Sequence, residues 1–250
     1  MNNSKKVAIV TGGGRDIGKS ISMKLASMGA KVVINYYNNS EEAEKTQAEI
    51  IEQGGECIVV QADVSKWADV QRLIKETQAA FGNKIDVLVN NAGGLVARKK
   101  VEEMDEDFWD HVMALNLKSV FMMTKAVVPH MENGGSIVNL SSQAGRDGGG
   151  GGASAYATSK GAVMTFTRAM AKELGPKGIR VNALCPGMIA TTFHDVFTKN
   201  EIRDKVASIT PLRREGAAKE VADLVGYLAN GEATFVTGAN IDINGGLFFS

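Results

Sequence analysis

The segment Thr11-Gly12-Gly13-Gly14-Arg15-Asp16-Ile17-Gly18 decides the fold of this chain. It follows a short apolar run and precedes an amphipathic stripe that starts at Ile17 and stops before Gly29. Glycine lets the backbone turn tightly and approach a phosphate, and the free N–H groups of a helix N-terminus favour anions. The segment therefore predicts a strand–turn–helix unit that binds the pyrophosphate of a dinucleotide, with these candidate cofactor-binding residues: Gly12, Gly14, Arg15, Asp16, Ile17 and Gly18.

The same alternation of apolar run and helical stripe continues along the chain. The predicted strands are Val7 to Thr11, Lys31 to Asn35, Ile58 to Asp63, Asp86 to Asn90, Ser136 to Ser141, Arg180 to Leu184 and Asn240 to Ile243. Further predicted helices are Ser40 to Gln53, Lys66 to Phe81, Asp105 to Met131, Ala153 to Leu174 and Ala217 to Ala229. Most strands are apolar throughout, as in parallel sheets that are covered on both faces. This predicts an α/β, Rossmann-type doubly wound parallel sheet of seven strands in a single domain over residues 1–250.

Composition excludes several function classes. Of the 250 residues 44% are hydrophobic, and Lys plus Arg balance Asp plus Glu at 28 each. No net field favours nucleic acid or an anionic membrane, so a small-molecule partner is expected. The segment Met1–Lys6 is polar and basic, no apolar stretch reaches the roughly 18 residues of a membrane helix, and Cys57 and Cys185 form no redox or zinc pair. We predict a cytoplasmic protein with two packed thiols.

The end of the second strand bears on the choice between NAD and NADP. An acidic residue there would bind a ribose 2′-hydroxyl and repel a 2′-phosphate. The chain instead reads Ile34-Asn35-Tyr36-Tyr37-Asn38. With Arg15 nearby, Asn35, Tyr36 and Asn38 are candidate cofactor-binding residues, and the pattern favours NADPH while leaving NADH possible.

Tyr156 and Lys160 lie four residues apart in a predicted helix, so their side chains share one face. An ammonium beside a phenol stabilises the phenolate and allows proton exchange near neutral pH. Such a pair is more often a solvated surface pair. Ser142, at the carboxyl end of the fifth strand, and Asn116, a polar residue within a buried helix stripe, favour a site instead. For Asn116 alone, a hydrogen-bonded core asparagine stays an equal reading.

Taken together, the motifs resemble the short-chain dehydrogenase/reductase family from Val7 to the C-terminus. They are Thr11-Gly12 to Gly18, Asp63, Asn90-Asn91-Ala92-Gly93, Asn116, Ser142, Tyr156 to Lys160, and Pro186-Gly187 with Thr191. The resemblance implies that Tyr156 protonates a carbonyl oxygen that Ser142 orients. It likewise implies that Lys160 binds the nicotinamide ribose and lowers the pKa of Tyr156. It also implies that Asn116 anchors a proton-relay water.

The resemblance further implies cofactor contacts and an assembly. Besides Tyr156 and Lys160, the implied contacts are Asp63, Val64, Asn90, Ala92, Gly93, Pro186, Gly187, Ile189 and Thr191. A homotetramer would form through the helices predicted at 105–131 and 153–174.

Asp16 departs from the family pattern, which usually has glycine at this position. A carboxylate there would repel a pyrophosphate. Because Asp16 directly precedes the first helix, we interpret it as an N-cap that accepts from a backbone N–H near Gly18 or Lys19, with Arg15 offsetting its charge.

Substrate recognition is expected in three loops beyond the strand ends: Gly94 to Val101, the loop that contains Arg146, and a lid at about 192–216. Phe193 is a candidate for covering the substrate, as part of one short amphipathic helix or as surface packing. An inward-pointing Arg98 or Arg146 would suit a carboxylate-bearing substrate, and an outward-pointing one would suit an acidic carrier protein.

Three functions stay open from the sequence: a ketone reductase of the 3-oxoacyl-thioester type, a reductase of a keto-sugar acid, and a cofactor-binding regulator without activity. No metal is predicted, because His111, His130 and His194 are dispersed.

Overall fold

One parallel sheet of seven strands, in the order β3-β2-β1-β4-β5-β6-β9, forms the centre of the molecule. Its strands are β1 (Val7–Val10), β2 (Lys31–Tyr36), β3 (Glu56–Gln61), β4 (Val87–Asn90), β5 (Ser136–Leu140), β6 (Arg180–Pro186) and β9 (Asn240–Ile243). The strand order reverses between β1 and β4, and such a switch point opens a crevice at the carboxyl edge. The predicted single-domain doubly wound fold with seven strands is confirmed.

The computed structural model describes residues 5–249. The prediction drawn from Met1–Lys6 therefore lies mostly outside the described residues. Ten α-helices connect the strands in this part of the chain: α1 (Asp16–Ser27), α2 (Ser40–Glu52), α3 (Trp67–Phe81), α4 (Glu106–Met113), α5 (Ser119–Val127), α6 (Ala144–Asp147), α7 (Ser154–Leu174), α8 (Thr192–Phe197), α9 (Asn200–Ile209) and α10 (Ala218–Ala229). Gly29 has a φ of +86°, the left-handed conformation predicted for a residue that ends a helix.

Apolar side chains cover both faces of the sheet, which explains why the strands do not alternate. Val10 and Ile34 pack with α1 and α10 on one face. Ile9 and Leu88 pack with α3, α5 and α7 on the other. Both cysteines are buried free thiols, as predicted, and burial raises the pKa of Cys57 to about 12 and that of Cys185 to about 11.

The helix predicted over 105–131 is interrupted by a π-helical turn at Ala114–Lys118, between α4 and α5. By length and composition the run Glu106–His130 could cross a membrane, with a mean hydropathy of 1.2. Its side chains Met123 and Val127, however, lie in the core against α3. A core helix of a folded domain meets the same criteria.

The segment from 192 to 216 holds two helices, α8 and α9, where a single helix was one of the predicted alternatives. It lies between two short strands, β7 (Ile189–Ala190) and β8 (Gly216–Ala217), which pair with each other. Arg203 in α9 bonds to Asp195 in α8 and to Glu215 beside β8. This ion-pair cluster holds the segment together as one unit.

Candidate active site

A cavity of about 730 Å³ opens at the carboxyl edge of the sheet. It runs from the glycine turn, past the end of β4, to α7 and the 192–216 segment. The predicted site residues that line it are Gly12, Gly14, Arg15, Asp16, Ile17, Gly18, Tyr36, Asn38, Ala92, Gly93, Arg98, Ser142, Tyr156, Lys160, Pro186, Gly187, Ile189, Thr191 and Phe193. The predicted residues outside its wall are Asn35, Asp63, Val64, Asn90, Asn116 and Arg146.

The glycine turn is held by its own close packing. A Cβ on Gly18 would lie 2.0 Å from the carbonyl oxygen of Gly12, and one on Gly14 would lie 2.8 Å from the Cα of Ala43. Gly12 adopts a φ of +60°, which favours glycine. Close packing therefore requires glycine at these positions, and Gly12, Gly14 and Gly18 line the cavity where a pyrophosphate would bind.

Asp16 does not cap its own helix, so the N-cap interpretation is wrong. Arg15 occupies the N-cap position of α1, and no side chain caps it. The carboxylate of Asp16 instead accepts from the backbone N–H of Thr192 at 3.0 Å and from the Thr192 hydroxyl at 2.6 Å. With a φ of +52°, Asp16 points away from the helix and toward the 192–216 segment.

Asn35 does not face a phosphate, contrary to prediction. It is 2% exposed, and its amide donates to the carbonyl oxygens of Val60 and Ala62 while its Oδ1 accepts from Gly12 N–H. It ties the glycine turn to β3 and holds the cavity wall from behind. Asn38 lies in the wall, as does Glu42, an acid that the sequence argument did not place there.

Asp63, Val64 and Asn90 also lie behind the wall. The carboxylate of Asp63 accepts from the N–H and the hydroxyl of Ser65, and Asn90 donates to Asn139 at 2.8 Å. The neighbouring Asn91 lines the cavity instead, and its amide donates to Thr11 and Gly12 carbonyl oxygens. A contact of Asp63 and Val64 with adenine stays a prediction.

Tyr156 and Lys160 stand side by side on the first turns of α7. The Lys160 Nζ lies 5.7 Å from the centre of the Tyr156 ring and donates to the carbonyl oxygen of Leu140 at 2.7 Å. Burial lowers the pKa of Lys160 to about 8. The pKa of Tyr156 is not lowered, contrary to prediction: burial raises it, and a hydrogen bond with Ser142 opposes that rise. The phenol is thus protonated at neutral pH and lies beside a cation that can stabilise its phenolate.

Ser142 follows β5 and reaches the phenol from the opposite side of the cavity. Its hydroxyl accepts from Ala144 N–H at 3.1 Å, which fixes the start of α6. A hydroxyl held in this way beside Tyr156 can donate to a carbonyl oxygen. The pair forms the polar floor of the cavity.

Asn116 is fully buried in the π-helical turn, and its side chain forms hydrogen bonds with backbone groups. Its amide donates to Gly94 and Val112 carbonyl oxygens, and its Oδ1 accepts from Gly94 N–H at 2.9 Å. Both N–H groups are therefore engaged, and the implied relay water has no free amide donor here. A Cβ on Gly93 would lie 2.6 Å from Asn116 Oδ1 and 3.1 Å from Lys160 Nζ, so Asn116 holds the wall that borders Lys160.

The 192–216 segment covers the catalytic end of the cavity. Phe193 lies 6.1 Å from Tyr156 between ring centres. Arg98 crosses the mouth, where it donates to the carbonyl oxygen of Gly151 at 3.0 Å and to that of Phe197 at 3.5 Å. Arg98 is one of the residues that line the cavity, and a guanidinium there can pair with an anionic group.

Arg146 is excluded from the substrate side, which corrects the prediction for this residue. Its guanidinium donates to Asp242 at 3.1 Å and to the carbonyl oxygen of Asn240 at 2.6 Å. The side chains of Arg146 and Asp242 are 13% and 18% exposed. This ion pair attaches α6 to β9 at the sheet edge.

Sequence reasoning gave no individual role to several residues of the wall, among them Leu95, Leu115, Gln143, His194 and Val206, although His194 and Val206 lie within the predicted lid. Gln143 follows Ser142 directly, and His194 follows Phe193, so proximity to predicted residues was the signal that could have found them. Among residues 5–249 no three His, Cys, Asp or Glu side chains form a metal-binding group.

Fold and site define a class: α/β proteins that bind a dinucleotide across the switch point of a doubly wound sheet. The family model for Enoyl-(Acyl carrier protein) reductase matches residues 12–248. A 3-oxoacyl-[acyl-carrier-protein] reductase of Synechocystis sp. is 42% identical over 97% of this chain and 96% of that protein.

Solved structures agree with the sequence comparisons. A short-chain dehydrogenase/reductase from Serratia marcescens superposes with a TM-score of 0.91 at 36% identity, covering 97% of each chain. A short chain dehydrogenase from Burkholderia cenocepacia, in complex with NADP, superposes with a TM-score of 0.91 at 33% identity, over 98% of this chain and 99% of that one. The chain belongs to the short-chain dehydrogenase/reductase family of oxidoreductases.

Proposed function

We propose that the protein reduces a ketone to a secondary alcohol with NADPH and that its substrate is a 3-oxoacyl thioester. The observation that carries the proposal is the buried Tyr156–Lys160 pair, with Ser142 beside the phenol at the floor of the cavity. The similarity to 3-oxoacyl-[acyl-carrier-protein] reductases supports the substrate class. The same reaction can run in reverse.

The chain's residues divide the work as follows. Ser142 donates a hydrogen bond to the carbonyl oxygen, and Tyr156 delivers its phenolic proton to that oxygen. Lys160 stabilises the resulting phenolate by its charge. Its ammonium hydrogens that do not bond to Leu140 would bind the nicotinamide ribose. The bound cofactor supplies the hydride. Asn116 positions the Gly93–Gly94 wall beside Lys160.

The glycine turn and the wall behind it fit a dinucleotide. The backbone of the glycine turn, which lines the cavity at Gly12, Gly14 and Gly18, would hold the pyrophosphate, and Arg15 with Tyr36 and Asn38 would face the adenosine ribose. The solved relative with NADP supports NADPH, while Glu42 in the same wall opposes a 2′-phosphate and leaves NADH usable. The remaining predicted contacts to Ala92, Pro186, Gly187, Ile189 and Thr191 belong to the nicotinamide end.

A keto-sugar acid is the second candidate substrate, and the position of Arg98 favours it. The guanidinium crosses the cavity mouth and can pair with a carboxylate. In both cases residues 192–216 would act as a lid whose Phe193 excludes water from the reacting carbonyl.

One experiment separates these substrates. Purified protein is supplied with acetoacetyl thioester or with a keto-uronate, each with NADPH and with NADH, and cofactor oxidation is followed by absorbance. Turnover of the thioester with NADPH supports the first proposal, and turnover of the keto-uronate alone supports the second. Binding of NADPH with no ketone reduced would leave the inactive regulator, against which the intact Ser142, Tyr156 and Lys160 set argues.

We further propose that the protein works in the cytoplasm as a homotetramer, without nucleic acid, membrane or metal. The resemblance to the short-chain dehydrogenase/reductase family supports the assembly and the location. The balance of 28 basic and 28 acidic residues supports a partner other than nucleic acid or membrane, and the dispersed histidines support a site without metal. Light scattering of the purified protein tests the subunit number.

A further inference from the structure

Asp16 connects two parts of the cavity that are far apart in the chain. It belongs to the glycine turn, and its carboxylate binds Thr192, the first residue of α8. Arg15 adds a hydrogen bond from its Nη1 to the Thr192 hydroxyl at 3.4 Å. The partners are 176 residues apart, so this contact is a tertiary link between the turn and the lid segment.

The link continues to the catalytic floor through adjacent residues. Thr192 precedes Phe193, whose ring lies 6.1 Å from that of Tyr156. Phe193 also packs against Phe197, with ring centres 5.1 Å apart. Fixing the backbone N–H of Thr192 therefore fixes where the Phe193 ring stands over the phenol.

The conformation of Asp16 shows that the contact has a cost. A non-glycine residue at a φ of +52° is disfavoured, and a carboxylate beside a pyrophosphate site is unfavourable for charge. Glycine would avoid both costs at this position. What the carboxylate provides in return is a pair of hydrogen bonds to Thr192, one of them to a backbone group that no side chain of α8 caps.

We propose that Asp16 is a positioning residue that holds the lid closed over the ketone by binding Thr192. It acts on substrate binding and not on the chemistry, because it touches neither Tyr156 nor Ser142. The inference rests on the proposed ketone reduction for its kinetic consequence, whereas the attachment of the lid can be measured without any substrate.

The variants Asp16→Gly and Asp16→Asn separate the tether from a mere charge effect. Glycine removes the acceptor and relieves the φ, whereas asparagine removes the charge but keeps an acceptor oxygen for Thr192. We expect Asp16→Gly to raise KM for the ketone about tenfold with kcat changed less than about threefold, and Asp16→Asn to restore KM to within about threefold of wild type. Equal damage by both variants, or an unchanged KM in Asp16→Gly, would overturn the proposal.

Thr192→Val supplies the matched partner. It removes the hydroxyl and keeps the N–H, so its effect should be smaller than that of Asp16→Gly. In the double variant Asp16→Gly/Thr192→Val, the increase in KM should be close to that of Asp16→Gly alone, because both changes break the same link. Additive effects would show that the two residues act separately.

Hydrogen exchange provides the readout that needs no turnover. In the full-length protein with and without NADPH, the amides of 192–197 should exchange at least about fivefold faster in Asp16→Gly than in wild type, while those of β1 and β4 stay unchanged. Equal exchange in 192–197 would refute the tether. If these amides respond as expected but no ketone is reduced by wild type, the proposed function fails and the tether stands.

Discussion

The ammonium of Lys160 lies 5.7 Å from the Tyr156 ring centre and donates to the Leu140 carbonyl oxygen, and the residue is only 4% exposed. Burying an ammonium group lowers the stability of the fold. Here the buried ammonium lies beside the phenol whose phenolate it can stabilise. Tyr156→Phe should therefore reduce ketone turnover by at least about 10³-fold and leave the Kd for NADPH within about threefold. Stopped-flow reduction and fluorescence titration measure the two quantities, and a rate near that of wild type would contradict the mechanism.

The cost of burying Lys160 should appear as a pH-dependent stability. Burial lowers its pKa to about 8 in the folded state, from 10.5 in the unfolded chain. Below about pH 8 both states bind the proton and the penalty is complete. Between about pH 8 and 10.5 the unfolded state binds more protons, so the contribution of this lysine rises with pH and the penalty disappears.

Lys160→Met tests that statement. At pH 7 the free energy of unfolding of the variant should be up to about 3 kcal/mol higher than that of wild type. This difference should shrink toward pH 10. Urea unfolding at each pH measures it, and activity is lost in the same variant. A difference that does not change between pH 7 and 10 would show that the pKa of Lys160 is not lowered in the folded state.

Much of the fold was readable because its signals are local. Strand β2 contains the apolar run Val32, Val33 and Ile34, and Gly29 follows the end of α1, so short windows of sequence carry the information. The Tyr156 and Lys160 spacing also lies within one helical turn. These are the parts in which prediction and structure agree.

What the sequence missed depends on partners that are distant in the chain. Asp16 reaches Thr192, Arg146 reaches Asp242, and Asn35 reaches Val60 and Ala62. From its sequence neighbours alone, each of these polar side chains was predicted to cap a helix or to contact a ligand. These partners become neighbours only in the folded sheet. A short window of sequence therefore does not predict the contacts between them.

The Arg146–Asp242 pair should stabilise the protein and leave substrate selection alone. Removing one partner of a largely buried ion pair leaves the other charge buried without a counter-charge. Arg146→Met should therefore lower the free energy of unfolding by about 2–4 kcal/mol. The control is Arg214→Met, whose ion pair with Glu220 is about half-exposed and should contribute less than about 1 kcal/mol. Urea unfolding compares them, and similar losses would contradict the burial argument.

Arg15 and Glu42 should set the cofactor preference in opposite directions. Both line the adenosine end of the cavity, so a 2′-phosphate would be attracted by one and repelled by the other. Arg15→Ala should weaken NADPH binding about tenfold with little change for NADH, and Glu42→Gln should strengthen NADPH binding severalfold. Titrations at two salt concentrations check the charge origin, because the differences should shrink with salt. Equal effects on NADH and NADPH would place the 2′-phosphate elsewhere.

Arg98 decides between the two substrate classes. If an acidic ketone is the substrate, Arg98→Gln should raise its KM about 10- to 100-fold, since a charge-assisted pair at the cavity mouth is lost. Acetoacetyl thioester, which presents no carboxylate at that point, should change less than about threefold. Arg98 also bonds to the carbonyl oxygens of Gly151 and Phe197, so the two substrates must be compared in the same variant. A parallel loss for both would mean that Arg98 shapes the mouth, whereas a loss confined to the acidic ketone would assign it to the carboxylate.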